Sequence, residues 1–178
     1  MTEQSPVTRT AQITTTIRQR TGYHHLAVGT LFGTYVLMVL GAYTSAIGAG
    51  LSCPDWPTCY GTVVPFLHPG VVANSPYSAL QIFAEWAHRG LAMVVGLSVV
   101  LTALVARYTH ERAIVERSAA FAALLLPVQV VLGGLTVTES LEPIIVTSHL
   151  ATAALILVAL TVTTVTGWPS PSSGVGQN

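Results

Sequence analysis

Two histidines, a glutamate, an arginine and two cysteines carry the chemistry legible in this chain. Glu85, His88 and Arg89 stand at i, i+3 and i+4, which places all three on one face of a helix. His149 sits in a separate apolar stretch, PIIVTSHLATA, and Cys53 and Cys59 enclose PDWPT. A neutral imidazole is a common ligand of haem iron. A carboxylate within or near hydrocarbon is expensive and is usually kept for function. Each group also has a plainer role. A histidine in an apolar helix can be an ordinary interhelical hydrogen-bonder, Glu85 and Arg89 can be an ion pair at a helix end, and the cysteines can form either a structural disulfide or a redox pair.

The elements that must position these residues are set by composition. The chain of 178 residues is 51% hydrophobic and 8% charged, against about 25% charged in soluble domains, so lipid is its main solvent. Uncharged stretches long enough to span a ~30 Å hydrocarbon layer predict four helices at about 26–47, 81–106, 118–138 and 144–166, a 48–80 loop holding both cysteines, and a connection, RYTHERAIVER, at 107–117. Pro127 predicts a kink in the third helix, which a bundle tolerates. Residues 1–22 lack apolar periodicity and read as a disordered tail, and 167–178, rich in Pro, Gly and Ser, as another. The expected fold is all-α, an integral membrane four-helix bundle over residues 23–166.

Arginine placement orients it. Arg9, Arg18, Arg20, Arg107, Arg112 and Arg117 flank the ends of one side, whereas the 48–80 loop and the ESLEP turn contain neither Lys nor Arg. The positive-inside rule then puts both termini in the cytoplasm and the Cys loop outside, where a disulfide persists. The first apolar stretch is longer than a signal-peptide core. It also has an internal counterpart. Val36, Val39, Leu40, Gly41 and Thr44 match Val128, Val131, Leu132, Gly133 and Thr136. Helices one–two and three–four therefore read as two repeated hairpins, with His88 and His149 as equivalents.

By these boundaries both histidines lie about 10 Å or less below the outer helix ends, at similar depth on helices of the same direction, placed to hold one haem iron from both sides. Gly41, Gly133 and Gly134 read as close-packing positions, Gln129 as an interhelical hydrogen-bonder and Trp56 as an interface anchor. His24, His25 and His110, at the cytoplasmic edge, and His68, in the loop, are given no specific role. No phosphate loop, zinc-type ligand spacing or basic nucleic-acid face is present.

GAGLSCPDWPTCYGTVVP, EWAHRGLA, QVVLGGLTV and PIIVTSHLATA together resemble the haem A synthase family, the cytochrome oxidase assembly proteins, over roughly residues 30–165. The resemblance implies a plasma-membrane enzyme that oxidises the C8 methyl of haem O to the formyl of haem A. It implies an essential glutamate (Glu85), haem-holding histidines (His88, His149) and an outer Cys pair (Cys53, Cys59). Arg89 is placed to meet a haem propionate. It also implies haem O synthase and the terminal oxidase as partners. Family members look like two four-helix halves, one holding the substrate and one a haem b. This chain matches one half, most like the substrate side, which points to completion by a homo-oligomer or a partner membrane subunit. Two other readings compete: a non-catalytic haem-binding chaperone or electron carrier, and a quinone-linked disulfide-forming protein, which usually needs two outer thiol pairs where this chain has one.

Overall fold

The fold is described from a computed structural model covering residues 6–109 and 111–168, with side chains from residue 22 onward within those ranges. Its elements are α1 (Pro6–Ala46), α2 (Pro69–Ala73), α3 (Ala79–Tyr108), α4 (Ala113–Thr138) and α5 (Pro143–Gly167), with a 3-10 turn at Pro65–Leu67; no strand forms among the described residues. Four stretches are long and apolar enough to cross a bilayer: Gly22–Ala46, Ala79–Tyr108, Ala113–Thr138 and Pro143–Gly167.

The helix ends differ from the sequence-based expectation for local reasons. α3 starts at Ala79 because Ser78 and Gln81 form a reciprocal capping box: the Ser78 side chain accepts from Gln81 N, and the Gln81 side chain accepts from Ser78 N at 2.9 Å. α4 starts at Ala113, inside the expected charged connection. Glu116 falls in its first turn, where the helix dipole favours an acid. The helix continues through Pro127. Helical backbone in α1 runs back to Pro6 through most of the expected tail, since extending a formed helix adds one hydrogen bond per residue fixed. Residues 1–5 and 169–178 lie outside the described residues, as does His110.

α1 and α4 each pack on both α3 and α5, so α3 and α5 face each other along a diagonal of the bundle. In the half away from the Cys loop, the interior is a continuous stripe at helical spacing. Tyr23, Ala27, Ala106, Val115 and Ala119 form one layer; Val95, Val99, Ala122, Ile156, Ala159 and Leu160 form the next. Hydroxyl pairs stitch neighbouring helices here, Thr30 to Thr102 at 3.0 Å and Ser118 to Thr163 at 2.7 Å; such bonds contribute about 0.6 kcal/mol each inside membranes.

Toward the disulfide end the stripe stops at the same level on all four helices. No residue is fully buried between 34 and 44 in α1, between 85 and 95 in α3, between 122 and 134 in α4, or from 143 to 151 in α5. Above this gap α1 and α4 terminate alike. Ala49 N donates to Thr44 O and Gly48 N to Ser45 O, while Leu141 N donates to Thr136 O and Ser140 N to Val137 O. Both are Schellman closures. Gly48 takes the left-handed position without strain at φ +67°, whereas Ser140 must adopt φ +50° there.

Candidate functional site

The two histidines sit in the gap, each against a glycine of its hairpin partner. A Cβ added to Gly41 of α1 would lie 2.9 Å from Cε1 of His88 on α3, and one added to Gly133 of α4 would lie 3.2 Å from Cε1 of His149 on α5. A side chain at Gly41 would push its ring aside, and one at Gly133 would press on its ring more lightly. Nδ1 of both rings is buried with no hydrogen-bond partner. Thr44 and Thr136 donate back to the carbonyls of the two glycines at 2.8 and 2.7 Å. Val95 and Ile156, the first core residues beyond the gap, each lie two turns past their histidine. Paired imidazoles over an apolar floor suit a flat, mostly apolar ligand that binds two axial nitrogens. Among the described residues no three His, Cys, Asp or Glu converge to hold a bare ion.

The loop above the gap is a closed ring. Cys53 and Cys59 form a disulfide with Cα atoms 4.6 Å apart, and both residues are buried. Asp55 organises it from within: Oδ1 accepts from Tyr60 N at 2.6 Å, and Oδ2 accepts from Gly61 N at 2.9 Å and from the Thr58 hydroxyl. Burial pushes the Asp55 carboxyl up, but these three donors outweigh it and hold it below its ordinary value. Tyr60 and Gly61 both take positive φ beneath it. Asp55 was not singled out from sequence, though an Asp three residues before a Thr in a Pro-rich loop is a turn signal.

Arg89 clasps this ring to α3. Its Nη1 donates to Asp55 O and Thr58 O, both at 2.6 Å, its Nη2 to Cys53 O at 2.8 Å, and its Nε to Glu85 Oε1 at 3.0 Å. Four of the five guanidinium hydrogens are thus engaged, where the sequence pointed to a propionate partner. Glu85, 6% exposed, lies one turn from His88 on the same helix. Trp56 reaches the other hairpin. A Cβ added to Gly134 would lie 3.4 Å from its ring, so Gly134 seats a loop side chain as well as allowing helix approach. The loop is therefore fastened to α3 by Arg89 and to α4 by Trp56. On the opposite side, between the end of α1 and the start of α5, a groove of about 330 Å³ is lined by Ser45, Gly48 and Gly50 and by Leu141, Pro143, Val146 and Thr147. Val146 is one turn before His149.

Other sequence expectations resolve individually. Gln129 Oε1 is buried with no partner, so the expected interhelical bond is not formed. His24 is buried against Trp168, with ring centroids 5.0 Å apart; His25 and His68 are exposed.

Residues 24–174 match the family profile of the cytochrome oxidase assembly proteins. The chain is similar to a haem A synthase of Shewanella oneidensis, 38% identical over 128 residues, covering 68% of this chain and 38% of that protein. It is similar to a haem A synthase of Symbiobacterium thermophilum, 38% identical over 102 residues, covering 57% and 30%. It is also similar to protoheme IX farnesyltransferase 1 of Natronomonas pharaonis, 37% identical over 120 residues, covering 67% and 23%. The chain thus spans well under half the length of each of these relatives. No solved structure matches it.

Proposed function

This chain belongs to the cytochrome oxidase assembly protein family, that of the haem A synthases, and on that premise we propose that it is a membrane oxidoreductase converting the C8 methyl of haem O to the formyl of haem A. The observation that carries the reading is the matched pair of seats: His88 of α3 and His149 of α5 each lie against a glycine, Gly41 and Gly133, in the stretch where no residue of the bundle is fully buried. The residues fit a porphyrin. His88 and His149 would hold the iron, each ring placed by the glycine it lies against. Val95 and Ile156 floor the space and exclude water from below. Glu85, one turn from His88, handles protons at the reacting edge or stabilises positive charge developing there. The oxidation takes its oxygen from water, and the electrons leave to an acceptor outside this chain. The groove between α1 and α5 supports lateral access of the lipophilic substrate from the bilayer.

The matching seats, threonine bonds and Schellman closures support two repeated hairpins. Arg107, Arg112 and Arg117 at one end of the bundle, with Asp55, Glu139 and Glu142 at the other, support a plasma-membrane protein with cytoplasmic termini and an outer disulfide loop. A second copy or a partner membrane subunit would supply a haem b site. The farnesyltransferase-named relatives support haem O synthase as the neighbour that hands over substrate, with the terminal oxidase receiving the product. Farnesyl transfer by this chain is disfavoured: holding a diphosphate calls for carboxylates around Mg²⁺, and no such cluster is found among the described residues.

The test is haem content and product. Purified in detergent, the chain should carry haem and, with its electron acceptor and partners supplied, form haem A from haem O. Absence of both sinks the proposal. The Glu85–Arg89 ion pair favours a second reading, a non-catalytic haem chaperone or electron carrier in which Glu85 is structural. Glu85→Gln decides: lost haem A with retained haem supports catalysis, and unchanged product supports the carrier.

A further inference from the structure

The Arg89 guanidinium joins two features that chain order keeps apart. One side meets the buried Glu85 carboxylate; the other meets the carbonyls of Cys53, Asp55 and Thr58. Those three carbonyls belong to the seven-residue ring closed by the Cys53–Cys59 bond. They converge on one planar cation because the ring is closed and Asp55 braces it from inside. Opening the ring restores the conformational freedom of its backbone and disperses the three acceptors. Arg89 sits almost wholly inside the protein, its side chain 14% exposed beside a Glu85 side chain 8% exposed. Water therefore cannot readily replace the lost partners, and the guanidinium must move relative to the carboxylate it holds. A lysine could not substitute, because a single ammonium cannot reach four acceptors spread around a planar fork.

We propose that Arg89 is a positioning residue that couples the Cys53–Cys59 disulfide to Glu85, so that each feels the state of the other. The coupling is reciprocal by thermodynamic necessity: if breaking the disulfide loosens Glu85, altering Glu85 must shift the disulfide equilibrium. The functional weight of the coupling rests on the role assigned to Glu85 above, but its test does not use activity.

The purified protein is equilibrated with dithiothreitol of defined oxidised-to-reduced ratio and quenched with a maleimide. The dithiol passes two electrons and two protons to the cysteine sulfurs and closes to its own cyclic disulfide. Arg89→Gln is expected to favour the reduced cysteines by about tenfold, the size of one charge-assisted hydrogen bond. Arg89→Lys should lie between Gln and wild type. Glu85→Gln should shift the equilibrium in the same direction by about threefold, and should add nothing in the Arg89→Gln background. An unshifted equilibrium in Arg89→Gln overturns the proposal, as does one unshifted in Glu85→Gln, where Arg89 would latch the loop alone. A full Glu85→Gln effect on top of Arg89→Gln also overturns it. If Arg89→Gln does not fold, the same comparison is made in Arg89→Lys, where the Glu85→Gln effect must shrink. A chain that forms no haem A yet passes this test refutes the enzyme reading and leaves the coupling standing.

Discussion

Replacing Gly41 with alanine separates site geometry from stability more cleanly than any other change. The new Cβ would stand 2.9 Å from His88 Cε1, whereas carbon atoms rest at about 3.5–4.0 Å. The ring must therefore retreat by roughly 0.6 Å or more, beyond the ~0.5 Å within which a functional group keeps its productive position. At Gly133 the new Cβ would stand 3.2 Å from His149, and the retreat is roughly half as large. Helix propensity acts in the opposite direction, favouring alanine over glycine by up to about 1 kcal/mol. Gly90, on α3 two residues after His88, has no atom within 4 Å of an added Cβ and serves as the control. The expected order is Gly90→Ala unchanged in haem content and equal or better in thermal stability, Gly133→Ala intermediate, and Gly41→Ala depleted of haem about ten- to a hundredfold with its fold intact. Haem per protomer, the optical spectrum of the bound haem and the melting temperature in detergent read all three quantities. A Gly41→Ala protein with wild-type haem content and spectrum would refute the glycine-seat argument.

Two further expectations concern the loop end. Ser140→Gly relieves the φ +50° position that closes α4 and should stabilise by about 0.5–1 kcal/mol, roughly 2–4 °C in melting temperature; no rise would show that Ser140 carries no strain. The Asp55 carboxyl is held below its ordinary value, so the order it confers is fully present above the unfolded carboxylate pKa and is lost as pH falls through the lowered folded value. Exchange protection of the Tyr60 and Gly61 amides should accordingly hold at neutral pH and fail in acid. In Asp55→Asn protection should be weak throughout, and protection that instead strengthens on acidification contradicts the assignment.

The bundle was readable from sequence because its signal is local: four apolar runs of spanning length, with boundaries moved by the extension of α1 back to Pro6, by the Ser78–Gln81 cap and by the charged first turn of α4. Gly41 and Gly133 stand at matching positions of two similar sequence segments, and the room each gives a histidine follows once α1 packs on α3 and α4 on α5. The loop was not readable. Whether Arg89 faces a ligand or backbone depends on three carbonyls 31 to 36 residues earlier in the chain, and their convergence depends on ring closure and on Asp55. Trp56 looked like an interface anchor because its partner, Gly134, has no side chain to advertise the contact. Gln129 failed as a hydrogen-bonder because a polar residue in an apolar helix announces a need for a partner without specifying one.

The likeness of the two histidine seats has a geometric corollary. A cage whose halves match cannot tell a flat ligand from the same ligand turned over, since both placements would meet the same pair of nitrogens at the same depth. Any preference for one peripheral carbon over its near-identical neighbours must come from parts of the protein that break the symmetry. The halves differ most above the gap. Gly134 admits the Trp56 ring where its counterpart on α1 is Ala42, Arg89 and Glu85 have no equivalents on α5, and a groove opens between the end of α1 and the start of α5. On the proposed function, regiochemistry would fall to the asymmetric rim, while the matched seats would set affinity.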